Sequence, residues 1–210
     1  MLLIYALLSY SPTSQIVVIL AFAIIGAGLK YIDDAFDEDT FSKKKAILIA
    51  PIIVLIWICL SVFDSVSATI LFSILFAVLL TGKIDNLIFK ICSIVLILIL
   101  FLTQMLSLLL LPLVILILMG VADEKGNDYV DNHATLKQVK FFFSYRFCMK
   151  MGVLSLCLLS LLPWLYLFAF LAHDGAYEAV RIVGKILVAH QRKKKSIGFC
   201  ADALSPTVNE

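Results

Sequence analysis

Long apolar segments separated by short polar ones dominate the pattern along this chain. Five runs contain no Asp, Glu, Lys or Arg, namely residues 1–29, 46–63, 65–82, 91–122 and 151–172. Each run is close to or longer than the roughly 18 to 20 apolar residues that cross a bilayer as a helix. The pattern therefore predicts an all-α, polytopic membrane helical bundle.

The first runs predict three helices. They cover residues 13–29, 46–63 and the stretch that ends near Thr81, with a short turn at residues 64–67 between the second and the third. Residues 1–10 are expected either at the membrane interface or in a longer, tilted first span. The last span is expected at residues 151–171.

The run at residues 91–122 has two interpretations. Its 32 uncharged residues would form a helix of roughly 48 Å, beyond a hydrocarbon core of roughly 30 Å. Two short spans meeting near Thr103 and Gln104, or one tilted helix kinked at Pro112, both account for it. We favour two spans, because the loops that contain lysine and arginine then lie on one side of the membrane. Short cytoplasmic loops are enriched in these residues.

The C-terminal part allows a further crossing. Residues 176–190 are amphipathic and contain Glu178, Arg181 and Lys185, so this segment either lies at the interface or crosses as a seventh span. In the six-span arrangement the basic residues 192–195 would lie outside. We therefore expect six to seven transmembrane helices in one domain over residues 1–195, followed by a mobile tail at residues 196–210.

Composition excludes several classes of protein. Hydrophobic residues make up 62% of the 210 residues and charged residues only 15%, against about a quarter charged in soluble domains. This balance excludes a soluble enzyme, a nucleic-acid-binding domain and a disordered chain. We expect an integral, multi-pass membrane protein with no nucleic-acid partner, whose protein partners the sequence leaves unknown.

Nine of the fifteen acidic residues fall in two short groups. The first acidic cluster comprises Asp33, Asp34, Asp37, Glu38 and Asp39, and the second comprises Asp123, Glu124, Asp128 and Asp131. In the preferred topology both clusters end helices on the cytoplasmic face. The acids are either solvated helix ends or a functional site, and two clusters near the hydrocarbon on one face favour the site.

The spacing within the clusters suits a hard cation. Asp33, Asp34 and Asp37 can converge on one side of a helix, and so can Asp128 and Asp131. Mg²⁺ prefers oxygen ligands and usually takes one or two carboxylates together with substrate phosphates. The two clusters therefore predict a site at which bridging Mg²⁺ holds a diphosphate.

Basic and amide side chains accompany both clusters. Lys44 follows the first cluster, and Lys137, Lys140 and Arg146 follow the second, where they can contact phosphate oxygens. Asn127 is either another oxygen ligand or a turn residue beside Gly126.

The acidic motifs resemble those of the UbiA superfamily of intramembrane prenyltransferases. The segment Asp33-Asp34-Ala35-Phe36-Asp37 is similar to the first motif of that family, N-D-x-x-D-x-x-x-D, with Asp33 in place of Asn. Residues 123–131 resemble the second motif, D-x-x-x-D-x-x-x-D, with irregular spacing. The resemblance covers roughly residues 16–136, and the family usually has about nine spans and a longer chain.

The resemblance implies a helical bundle in which two motifs bind Mg²⁺ and an isoprenyl diphosphate, whose prenyl chain passes to a lipophilic acceptor. By this resemblance Asp34, Asp37, Asp128 and Asp131 are metal ligands, and Asp123 belongs to the second motif. Lys44, Lys137 and Arg146 would contact phosphate. The pattern singles out no catalytic residue.

Two other function classes stay open. The acidic clusters can recruit a divalent cation at the mouth of a channel or transporter, although no acid lies in the middle of a predicted span. The charged loops of a non-catalytic membrane subunit can also dock a partner.

Overall fold

A computed structural model describes residues 12–82, 87–104, 106–133 and 136–203. The expectation for residues 1–10, and the end of the predicted tail at residues 204–210, lie outside these ranges. The described residues form helices and no strands, which confirms the all-α class. The helices are α1 (Pro12–Phe36), α2 (Lys43–Phe63), α3 (Ser65–Leu80), α4 (Leu87–Thr103), α5 (Leu110–Asn132), α6 (Lys137–Ser144), α7 (Phe147–Leu158) and α8 (Trp164–Ala203).

Two helices, α1 from Thr13 and α2, are long and apolar enough to cross a membrane, and a third crossing results if the bent pair α6 and α7 counts as one. Isoleucines and leucines such as Ile16, Leu48 and Leu98 are more than half exposed along α1, α2 and α4. Such apolar exposure exceeds what a soluble surface carries. These features are compatible with an integral membrane protein, while six to seven crossings stay a prediction.

The breaks between the helices lie at a capping aspartate and at residues with a left-handed backbone conformation. Asp64 separates α2 from α3 and begins α3, because its carboxylate accepts hydrogen bonds from the backbone N–H groups of Val66 (3.2 Å) and Ser67 (2.9 Å). Gly82, with φ +71°, follows α3. Gln104, with φ +50°, follows α4. The run at residues 91–122 contains parts of two helices, since α4 ends at Thr103 and α5 begins at Leu110, and two crossings in this run stay a prediction.

The prediction of one continuous helix at residues 151–171 is wrong. Helix α7 ends at Leu158, and α8 begins only at Trp164. Pro163 lacks an N–H group and disfavours helical geometry in the residue before it, and Ser160 has a left-handed φ of 58°. The apolar run therefore contains a turn between two helices.

Two further boundaries differ from the sequence predictions. Helix α1 continues to Phe36, so Asp33 and Asp34 lie in its last turn and not after it. Helix α5 continues to Asn132, which excludes Asn127 as a turn residue. Helix α8 includes residues 176–190 without a break, and its backbone is helical as far as Ala203.

Contacts between helices give their relative directions. Gly26 of α1 lies against His173 of α8, and further along both helices Asp34 lies beside Gly184, so α1 and α8 are parallel. Lys150 of α7 pairs with Asp174 of α8, whereas Arg146, earlier in α7's path, contacts Tyr177. Helices α7 and α8 are therefore antiparallel.

Glycines permit the closest helix crossings, as is common between membrane helices. A Cβ atom at Gly26 would overlap the backbone carbonyl of His173, and one at Gly120 would lie 2.6 Å from Cβ of Ala77. The core between these crossings contains fully buried Phe22, Phe72 and Leu116. This packing brings three segments to the same level of α8: the last turns of α1, residues 123–124 of α5 and the start of α7.

Candidate functional site

The last two turns of α1 contain an ion triad, in which Lys30 and Asp34 are mostly buried and Asp33 is partly exposed. Lys30 Nζ lies 2.8 Å from Asp33 Oδ2 and 2.8 Å from Asp34 Oδ1. The spacing i, i+3 and i+4 puts all three side chains on one face of the helix. Asp34 is only 3% exposed, so its charge depends on Lys30 for compensation.

A second set of charges surrounds the break between α6 and α7. Arg146 Nη2 lies 3.0 Å from Glu124 Oε1 of α5, and Lys150 Nζ lies 2.6 Å from Asp174 Oδ2 of α8. One turn later in α8, Arg181 Nη2 lies 2.6 Å from Glu178 Oε2.

Asp123 joins this set through the backbone of α7. Its Oδ1 accepts a hydrogen bond from Cys148 N (3.0 Å), and its Oδ2 accepts one from Met149 N (2.7 Å). Asp123 is 2% exposed. Its carboxylate accepts from two of the backbone N–H groups that have no partner within the helix at a helix start. Asp123 therefore serves as an N-terminal cap supplied by a neighbouring helix.

Tyr177 of α8 connects the two sets. Lys30 Nζ lies over its ring at 5.3 Å from the centroid, and Arg146 Cζ lies over it at 4.8 Å. The aromatic ring thus contacts one cation from α1 and one from the start of α7. Lys30 is paired with carboxylates of the first acidic cluster and Arg146 with one of the second. Both acidic clusters therefore contribute to one charged centre.

We name this centre the Tyr177 cluster. It comprises Tyr177, the four cations Lys30, Arg146, Lys150 and Arg181, and the six carboxylates Asp33, Asp34, Asp123, Glu124, Asp174 and Glu178. With every group charged, these side chains carry two negative charges in excess. One divalent cation would neutralise that excess.

A small cavity opens beside the cluster. Arg146, Glu124, His173 and Asp174 contribute polar lining, and apolar residues such as Phe170 complete it. His173 is 3% exposed, and its Nε2 has no hydrogen-bond partner among the described residues. His173 therefore combines a position in the cavity wall with a buried ring nitrogen that no described group contacts by a hydrogen bond.

An apolar groove lies on the other side of α1. It is lined by Leu29 and Ile32 of α1, by Trp57 of α2 and by Phe89 of α4. Leu29 and Ile32 flank Lys30 and precede Asp33 along the chain.

The structure brings together four of the residues that the sequence predicted for the site. Asp33, Asp34, Asp123 and Arg146 all belong to the Tyr177 cluster. Asp123 meets backbone N–H groups there, so the described contacts give its oxygens a structural role.

The other predicted residues lie at the surface. Asp131 pairs with Lys140 (3.3 Å) and accepts a hydrogen bond from Asn127 Nδ2 (3.3 Å). Asp128 and Asp131 follow Asp123 by five and eight residues, which is about 8 and 12 Å along a helix. The remaining exposed predicted residues are Asp37, Lys44, Asp128 and Lys137.

The site contains residues that the sequence prediction did not assign to it: Lys30, His173, Asp174, Tyr177, Glu178 and Arg181. The helical spacing of Lys30 before Asp33 and Asp34, and of Glu178 before Arg181, was a usable signal. The pairing of Lys150 with Asp174 depends on the turn at Pro163, which the apolar run concealed.

Within the described ranges, no group of three or more His, Cys, Asp and Glu side chains is arranged as a ligand set for a metal ion. A Mg²⁺ ion that also binds substrate phosphates needs only one or two protein carboxylates. Asp33 and Asp34 could supply those two carboxylates. Asp33 is partly exposed and therefore accessible to an ion, and buried Asp34 lies next to it.

Comparison of the chain with family models, with curated proteins and with solved structures finds no match.

Proposed function

We propose that this chain is a membrane enzyme that binds an isoprenyl diphosphate with Mg²⁺ at the Tyr177 cluster and transfers the prenyl chain to a lipophilic acceptor. The observation that carries the proposal is the position of Lys30 and Arg146 over one tyrosine ring. This arrangement joins the two acidic clusters, as a single diphosphate site requires. In this proposal the site faces the cytoplasm and the protein crosses the membrane six to seven times.

The charge of the cluster supports a metal–diphosphate ligand. Carboxylates in excess suit Mg²⁺, and Lys30 and Arg146 suit the phosphate oxygens that the metal leaves uncovered. The apolar groove beside Leu29 and Ile32 offers a place for the hydrocarbon chain. The resemblance to UbiA prenyltransferases agrees with this chemistry and is part of the proposal.

In the proposed reaction the bond between the allylic carbon and the diphosphate oxygen breaks, and the diphosphate leaves with the bonding electron pair. Mg²⁺ supplies charge stabilisation to the leaving group. Lys30 and Arg146 would bind its oxygens, and the apolar groove would exclude water from the allylic cation. An acceptor nucleophile then forms the new bond and releases a proton.

The test is release of inorganic diphosphate from geranylgeranyl diphosphate by the purified protein in detergent with lipid. We expect release that requires Mg²⁺ and falls at least about tenfold in Asp34→Asn, because the buried end of the ion triad loses its charge. Asp39→Asn is the matched control, since Asp39 lies in the same acidic cluster but is exposed and pairs with Lys43. Equal release with and without Mg²⁺, or equal rates in both variants, would contradict the proposal.

A second candidate function is ion transport, and one specific observation favours it. Asp174 is 6% exposed and pairs with Lys150, next to buried His173, inside the bundle. Buried ionisable groups in membrane helices commonly mark ion or proton paths. Cation flux into liposomes that Asp174→Asn abolishes, without diphosphate release by the wild type, would favour transport over transfer.

A further inference from the structure

The ring of Tyr177 holds two cations from different helices. Lys30 comes from α1 and Arg146 from the start of α7, at 5.3 and 4.8 Å from the ring centroid. Both distances fall within the roughly 6 Å over which the ring quadrupole attracts a cation. The two positive groups therefore lie no more than about 10 Å apart.

Two like charges at this separation need compensation. Asp33 and Asp34 compensate Lys30, and Glu124 compensates Arg146. If Asp33 and Asp34 turn to a bound metal ion, Lys30 loses its acidic partners. The ring of Tyr177 then remains as the contact that keeps Lys30 beside the site.

We propose that Tyr177 is a positioning residue that holds Lys30 and Arg146 as a two-pronged clamp for the diphosphate group. This inference rests on the proposed function, and it gives Tyr177 the role of acting on the diphosphate through Lys30 and Arg146. The ring orders both cations before the ligand arrives, which lowers the entropic cost of binding. The hydroxyl group is not required for this role.

The test is calorimetric binding of inorganic pyrophosphate, with Mg²⁺, to the full-length protein in detergent. We expect Tyr177→Phe to bind within about twofold of the wild type, because phenylalanine keeps the ring face. Tyr177→Leu should bind at least about tenfold more weakly, since two cation–π contacts are lost. Tyr129→Leu is the matched control, because Tyr129 is an exposed tyrosine that stacks on His133.

A second series separates ring electrostatics from packing. Phenylalanine with one, two or three ring fluorines at position 177 changes the ring quadrupole with little change of size. We expect the dissociation constant for pyrophosphate to rise with each fluorine while the unfolding temperature stays within a few degrees. A dissociation constant that is independent of fluorination would overturn the clamp.

A double-mutant cycle measured by thermal unfolding without ligand separates failure of the clamp from failure of the proposed function. Lys30→Met, Tyr177→Leu and the double variant should show a combined loss of melting temperature smaller than the two single losses added, because both remove the same contact. Coupling, together with pyrophosphate binding that weakens in Tyr177→Leu, would support the clamp, and absence of diphosphate release from geranylgeranyl diphosphate would then overturn the proposed function alone. Absence of pyrophosphate binding by the wild type would overturn both. Additive losses would overturn the clamp, and so would equal pyrophosphate binding by wild type and Tyr177→Leu.

Discussion

Asp123 links α5 to the first turn of α7 with both carboxylate oxygens. The bonds to Cys148 N and Met149 N are 3.0 and 2.7 Å long, and the side chain is buried. A cap of this kind contributes about 1 kcal/mol in exposed helices. Its loss costs more where the N–H groups it leaves behind are out of reach of water.

We therefore expect Asp123→Ala to lower the free energy of unfolding by about 1 to 3 kcal/mol, and Asp123→Asn to lower it less because the amide keeps one acceptor. Thermal unfolding in detergent measures the loss. Asp128→Ala, at an exposed acid of the same helix, is the control. Equal losses for Asp123→Ala and Asp128→Ala would contradict the capping role.

The ion triad of α1 gives a second prediction at this scale. Lys30→Met leaves buried Asp34 without its counter-ion, so we expect a loss of about 3 kcal/mol in unfolding free energy. Lys43→Met removes an exposed pair with Asp39, at 2.6 Å and the same spacing of four residues, and should cost less than about 1 kcal/mol. Replacing Asp34 by Asn in the Lys30→Met variant should recover part of the loss. Equal costs for the two lysine variants in chemical unfolding would refute the buried triad.

At the scale of elements, the crossing of α1 and α8 determines where the charged side chains meet. Gly26 lies directly against the backbone of His173, and Asp34 lies beside Gly184. This parallel contact brings Lys30 level with Tyr177. A shift of one helix along the other would separate the cation from the ring.

We expect Gly26→Ala to destabilise the protein by about 1 to 3 kcal/mol, because the added methyl group overlaps the carbonyl of His173. Gly175→Ala is the matched control in α8, since a Cβ there meets no atom within 4 Å. That control should be neutral or slightly stabilising, as alanine favours helices. Unfolding temperatures in detergent compare the two, and an unchanged value for Gly26→Ala would contradict the close crossing.

Three helix breaks lie where polar or glycine residues marked them in the sequence. Asp64, Gly82 and Gln104 all lie at predicted breaks. The turn before Pro163 went unpredicted because leucines surround it and no charge interrupts the apolar run. The acids at the ends of α1 and α5 were visible as candidates. Their partners on α8 were not, because only tertiary packing brings Asp174 and Tyr177 to them.

At the scale of the whole molecule, the parallel direction of α1 and α8 bears on sidedness. The basic residues 192–195 follow Gly184, which lies beside Asp34 at the end of α1. They therefore continue toward the same side as the loop between α1 and α2. In a six-span arrangement they were expected outside, whereas the parallel direction of α1 and α8 would put them on the side of the basic loop after α1, as the positive-inside rule favours.

This direction predicts the labelling pattern of single cysteines. In a variant without the native cysteines 59, 92, 148, 157 and 200, Ser42→Cys and His190→Cys should react with a membrane-impermeant maleimide from the cytoplasmic side. Gln104→Cys and Ser160→Cys should react from the opposite side. Sealed vesicles of both orientations provide the measurement, and labelling of positions 42 and 190 from opposite sides would contradict the parallel arrangement.

In the proposed function, residues from both acidic clusters form one diphosphate site around Tyr177. Equilibrium binding of geranylgeranyl diphosphate, with and without Mg²⁺, to the wild type, Asp34→Asn and Arg146→Gln tests it most directly. We expect Mg²⁺-dependent binding that weakens at least about tenfold in both variants. Asp34→Asn removes a carboxylate charge for Mg²⁺, and Arg146→Gln removes a charged contact to phosphate that contributes about 1.5 kcal/mol or more. Binding that survives unchanged in either variant, or that is absent from the wild type with Mg²⁺, would contradict a single site.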